Sequence, residues 1–217
     1  MLSQETTSSK RPRIETLSDL IFGLALSIGA LTLIGQPPSD IQQLLESILY
    51  YAFSFVILIS IWRSYTRTVS LLPAETNYLI NLNMVLLFLV SIEPYLFNQL
   101  IGSSSLEMAQ NVSIIYAFDL GGLFIIQAVF ANSLVNQKKQ AISEELKGEY
   151  KFRRYTLLVG AAIFLISTLP LFWTWSVDLG NNIPVRVRFI LWFIPLFSPL
   201  LVRLREWKTR KKKLTKY

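Results

Sequence analysis

The chain has 217 residues, of which 52% are hydrophobic and 16% charged, with a net charge of +7. Soluble domains of this length carry about 25% charged residues, and here the apolar excess is gathered into long runs. Cysteine and histidine are both absent, which excludes thiol catalysis, disulfides, Cys metal sites and the commonest general base and metal ligand. The composition points to an integral membrane protein that is not an enzyme and holds no cofactor.

Six segments supply the roughly 20 apolar residues that a bilayer crossing needs. They are residues 17–35, 41–62, 78–101, 112–135, 155–175 and 183–202. None alternates with period two, so each reads as helix. The expected fold class is all-α: a polytopic membrane protein with six transmembrane helices and both termini cytoplasmic. Residues 1–16 form a cytoplasmic N-terminus, 17–203 one membrane domain with a cytoplasmic linker at 136–154, and 204–217 a basic cytoplasmic tail. Lys and Arg set this orientation: 19 fall on the side of the termini and two, Arg186 and Arg188, on the other.

In chain order, the first helix opens with Arg13, Ser18 and Asp19. Ser18 or Asp19 suits a helix N-cap, where a side-chain oxygen meets unpaired N–H groups and the positive end of the dipole. Arg13 is close enough in sequence to pair with Asp19. Gly23, Gly29 and Ala30 offer small surfaces for helix approach. The third helix contains Glu93 followed by Pro94, and the fourth contains Asp119. At 1.5 Å per residue both acids lie roughly 10–12 Å below the outer surface. Together with Arg186 and Arg188 at the start of helix six they read as an acid–base network; a cation-attracting vestibule and protonation gating are the alternatives. In the linker, Gly148 is expected to end a short charged helix before the fifth span begins. The C-terminal run Arg210, Lys211, Lys212 and Lys213 reads as a contact with anionic lipid headgroups rather than with nucleic acid.

Several of these residues resemble a known family. Arg-x-x-x-Phe-Ser-Asp at the start of the first helix is the signature of the transmembrane-protein-175 type of potassium channel, and this chain is similar to it at Arg13, Ser18 and Asp19, with Leu17 where Phe is usual. Phe53-Ser54-Phe55 leading to Trp62 in the second helix, Asn81-Leu82 early in the third and Pro94-Tyr95 later in it add to the likeness. The family has a His pair three or four residues after that Trp; here the positions hold Tyr65 and Thr66.

The resemblance implies a prokaryotic single-repeat member in the cell membrane, assembled as a homotetramer with four copies of the first helix around a pore that conducts potassium. It further implies that Leu24 and Leu31 form apolar rings acting as the gate, with Ser27 as a hydroxyl layer favouring potassium. Arg13, Ser18, Asp19, Trp62 and Asn81 would form an inner network. At about 100° per residue, Leu24 and Leu31 fall within about 20° of one another, and Ser27 stands between them in height about 60° to one side. A proton- or ion-coupled transporter and a non-transporting membrane scaffold are the competing readings.

Overall fold

Long apolar runs become long helices here because each starts at a side chain that satisfies backbone donors, and α3 continues even through an interior proline, Pro94. Asp40 Oδ1 accepts from Gln43 N at 2.8 Å and opens α2 (Ile41–Val69). Thr76 caps α3 (Asn77–Ile101), Ser105 caps α4 (Leu106–Val135) and Ser143 caps α5 (Glu144–Ser167) in the same way. Each cap pairs one of the four orphan N–H groups of a helix start. They precede α6 (Pro170–Thr174), strands β1 (Ser176–Asp178) and β2 (Pro184–Arg186), and α7 (Val187–Leu196). The first helix, α1, runs from Glu5 to Leu31. The computed structural model describes residues 5–31, 40–72, 76–136, 143–178 and 184–196. The basic tail at 204–217 and the end of the expected sixth span lie outside the described residues.

α4 is the axis of the bundle. It is buried along most of its length and packs between α3 and α5, while α1 lies against α3 and, less extensively, α2. Close approach is built into the sequence: a Cβ at Gly160 would stand 2.7 Å from the Phe124 ring, so only glycine lets α5 meet α4 there. The core is largely aromatic and aliphatic, with Tyr65, Tyr116, Phe130 and Phe164 fully enclosed. Apolar side chains also point outward, among them Ile41, Leu45 and Leu49 on α2 and Val85 and Phe88 on α3. A surface of this kind is costly in water and natural in lipid. Among the described residues α2, α3 and α4 are the three helices long and apolar enough to cross a membrane.

Several boundaries differ from the sequence expectation. The fold is mostly helical, as expected, with one short addition: β1 and β2 form an antiparallel pair, with Val177 opposite Val185, at the expected outer connection before the sixth span. β-branched residues favour that pleated pairing. The sixth span's helix accordingly starts at Val187 instead of residue 183. The fifth span is broken, because α5 stops at Ser167 and α6 restarts at Pro170. Proline drives the residue before it out of the helical region, and Leu169 has φ −58 and ψ 139. Gly148 does not end a separate linker helix: α5 is continuous from Glu144 through it, since a lone glycine costs a helix only about 1 kcal/mol.

Candidate functional site

α1 has two faces with opposite fates. Ser18, Phe22, Ala25 and Gly29 are buried against the bundle; Phe22 and Ala25 are each only 1% exposed. Leu17, Leu20, Leu24, Ser27 and Leu31 lie on the other side, and Leu24 and Leu31 are 59% and 60% exposed. Taken at about 100° per residue, the two sets are centred roughly 150° apart. The exposed set recurs at alternating steps of three and four residues, the spacing of a helix seam that packs on a like helix. Gly23 also opens onto space, whereas a Cβ at Gly29 would meet the Tyr51 ring at 3.5 Å. Ser27 Oγ donates to the Gly23 carbonyl at 2.8 Å. That bond occupies the hydroxyl proton and leaves the oxygen lone pairs available to accept.

The rotation of α1 is held midway along its length. Ser18 Oγ and Tyr65 Oη are 2.7 Å apart, and Asn83 Nδ2 donates to the same Ser18 oxygen at 3.3 Å. One turn aside, Trp62 Nε1 donates to Asp19 Oδ1 at 2.9 Å. Neither Ser18 nor Asp19 is an N-cap, because α1 begins more than three turns earlier, at Glu5. They lie mid-helix, where their polar atoms bond across to α2 and α3. Arg13 also lies within α1, and its side chain is outside the described residues. Asn81 is exposed, and it is Asn83 that reaches Ser18. The difference is helical phase: Asn83 shares the buried face with Leu86, Leu87 and Val90, while Asn81 falls with exposed Val85 and Phe88. Spacing against the apolar positions could have separated the two asparagines. Tyr65 stands three residues after Trp62, in a place where the resembling family has His, and supplies the hydroxyl that meets Ser18.

Among the described residues, neither Glu93 nor Asp119 pairs with Arg186 or Arg188. Glu93 is fully buried and its carboxylate accepts from Ser54 Oγ at 3.0 Å and from Tyr116 Oη at 2.8 Å, tying α2, α3 and α4 together. Asp119 is buried with neither carboxylate oxygen hydrogen-bonded among the described residues. Arg188, also fully buried, donates to the carbonyls of Ser167 at 2.8 Å and Thr168 at 3.0 Å and to Ser113 Oγ at 2.5 Å. Arg186 rests over the Trp173 ring at 5.5 Å. The expected acid–base network is therefore two separate devices, a carboxylate held by hydroxyls and a guanidinium capping the end of α5. The α5 break at Thr168–Leu169 explains the second, since it releases carbonyls at a helix end where a cation is favoured. Ser54, Tyr116 and Ser113 carry no charge, which is why the sequence did not single out their roles here.

Residues 13–94 match the model of a family described as the endosomal/lysosomal potassium channel TMEM175. Among solved structures, the chain is similar to a lysosomal potassium-selective channel TMEM175 homologue from Chamaesiphon minutus, with 19% identity, a TM-score of 0.60, and coverage of 91% of this chain and 98% of that one. It is likewise similar to a variant of the potassium channel MtTMEM175 in complex with a nanobody–MBP fusion protein, with 17% identity, a TM-score of 0.61, and coverage of 92% and 93%. A sequence comparison with curated proteins gives no match. At these identities the structural likeness establishes a shared fold over nearly the whole chain.

Proposed function

We propose, from the match of residues 13–94 to the TMEM175 family model and from the shared fold, that the chain is a member of that family and a potassium-selective channel of the prokaryotic cell membrane. Four copies assemble with α1 nearest the symmetry axis. Leu24 and Leu31 form two apolar collars and Ser27 the hydroxyl layer between them. The six-span arrangement with both ends cytoplasmic, and a tail held by anionic lipid headgroups, belong to the same reading.

The observation that carries it is the uncovered seam of α1. A lipid-facing helix has no need of a polar residue in its apolar stripe, yet Ser27 stands within this one, flanked by Leu24 and Leu31. Apolar collars meeting on an axis exclude water, which makes a gate, while oxygen lone pairs replace part of the hydration shell of a cation. Potassium is the permeant ion here and no resident group is required. A coupled transporter needs a charged or polar site on the transport path; Glu93 and Asp119 are instead enclosed within one protomer, away from the uncovered face of α1.

Two measurements on the purified protein test the reading. Mass determination in detergent is expected to give a tetramer, and planar-bilayer recording to give unitary steps carried by potassium. A monomer, or flux with fixed coupling stoichiometry and no unitary steps, would overturn it.

A further inference from the structure

The inner end of α2 grips two helices at once. Trp62 and Tyr65 bond to Asp19 and Ser18 of α1. Within the same turn and a half, Arg153 Nη2 on α5 donates to Ser64 O at 2.5 Å and to Ser64 Oγ at 2.6 Å. Tyr150 Oη donates to the Arg67 carbonyl at 2.9 Å, and the Arg67 guanidinium donates to Glu149 Oε1. At about 100° per residue the pair Trp62 and Tyr65 is centred roughly 160° from the pair Ser64 and Arg67. The α2 segment is thus a rigid spacer, with α1 bonded on one side and α5 on the other.

The contacts on the α5 side suit a helix end. α2 stops at Val69, so the Arg67 carbonyl is among the last four, outside the regular backbone ladder, and Ser70 Oγ reaches it only at 3.4 Å, which leaves room for a closer donor. Tyr150 supplies one, and Arg153 places a positive charge near the negative end of the α2 dipole. Burial foremost pushes the Tyr150 phenol above its ordinary range, which keeps it a donor. The linker end of α5 beyond these residues is polar and solvated, with Lys147 bonded to Glu144 at 2.7 Å.

We propose that Glu149, Tyr150 and Arg153 are positioning residues for conduction, acting on the pore helix through the Trp62–Arg67 segment of α2. A shift of the first turns of α5 moves this spacer, and the spacer carries Ser18 and Asp19 with it. Because Leu24 lies less than two turns beyond Asp19, rotation there turns the collar relative to the axis. The inference rests on the reading of α1 as the pore helix. It adds that the linker-side end of α5 biases whether the collars close.

The test is a double-mutant cycle together with single-channel recording on the full chain. Arg153→Gln and Asp19→Asn are made singly and together, and the unfolding equilibrium is measured in detergent. Sites bonded to one spacer are expected to be non-additive by about threefold or more in the equilibrium constant. Ser64→Ala, which deletes only one acceptor, repeats the cycle should Arg153→Gln fail to fold. In bilayers Arg153→Gln or Ser64→Ala is expected to shift open probability by about threefold or more with unitary conductance and ion preference unchanged. Additive cycles, or an unchanged open probability, overturn the proposal. Leu24→Ala separates the two readings: an unaltered unitary conductance there refutes the pore assignment, while the stability cycle still decides the coupling without any ion flux.

Discussion

Ser18 and Tyr65, 47 residues apart in the chain, share a 2.7 Å hydrogen bond at the buried contact of α1 with α2. Everything on the far side of α1 is oriented by this bond and by the Trp62–Asp19 bond beside it. Tyr65 also packs its ring on Phe22 at 5.7 Å and on Phe130 at 6.3 Å, so its hydroxyl is fixed from both sides.

Tyr65→Phe therefore removes the bond and keeps the packing. The expected loss is about 1 kcal/mol of stability, the usual net worth of such a bond, with Ser18 still receiving the Asn83 amide. Thermal unfolding in detergent measures it. No change in midpoint would mean that the hydroxyl pair contributes nothing to holding α1.

Leu24→Ala and Leu31→Ala each shorten a side chain that is mostly exposed in its own protomer. In the proposed tetramer either one widens a collar, so unitary conductance is expected to rise several-fold while protomer stability changes by about 0.5 kcal/mol or less. Recording and detergent melts together decide this. Unchanged conductance in both variants would take the collars out of the pore.

Ser27→Ala deletes the oxygen between the collars and leaves the helix intact, because the bond to the Gly23 carbonyl is not needed for helix formation. The potassium-to-sodium permeability ratio is expected to fall about threefold or more, read from reversal potentials under bi-ionic conditions, with tetramer mass unaltered. A preserved ratio would assign selectivity elsewhere.

Glu93→Gln and Asp119→Asn are expected to differ. Glu93 serves two donors from two helices, so the amide, which keeps one acceptor oxygen, costs about 1–2 kcal/mol. Asp119 has no hydrogen-bond partner among the described residues, and replacing an acid in an apolar interior by a neutral isostere leaves stability equal or higher. Melting temperatures of the two variants give the order; the reverse order would show that Asp119 is the bonded group.

Arg188→Lys keeps the charge and loses the planar fork that reaches Ser167, Thr168 and Ser113 together. A single ammonium cannot reproduce that geometry. About 2–3 kcal/mol of destabilisation is expected, since buried carbonyls are left unpaired. A variant as stable as the parent would show that water replaces the guanidinium.

Much of the architecture was legible along the chain. Runs of apolar residues opened by Asp40, Thr76 and Ser105 mark α2, α3 and α4, because helix starts are decided by local hydrogen bonding. The candidate positions on α1 came from the resemblance to a family signature, and helical geometry adds only that they share one broad face. Boundaries were less legible: Gly148 and Pro170 both interrupt a pattern, yet only Pro170 marks a helix break, while Pro94 lies inside α3 without ending it.

Composition and periodicity alone determined that this chain is helical and apolar, because those properties are sums over local residues. Which polar groups meet was decided by tertiary packing. Asn83 and not Asn81 reaches Ser18, Tyr65 bonds across 47 positions, and Glu93 turns to hydroxyls while Arg188 turns to carbonyls. A buried polar atom takes whichever partner the neighbouring helix brings within about 3 Å. That distance depends on how three or four helices rotate against each other, a variable that no single stretch of sequence contains.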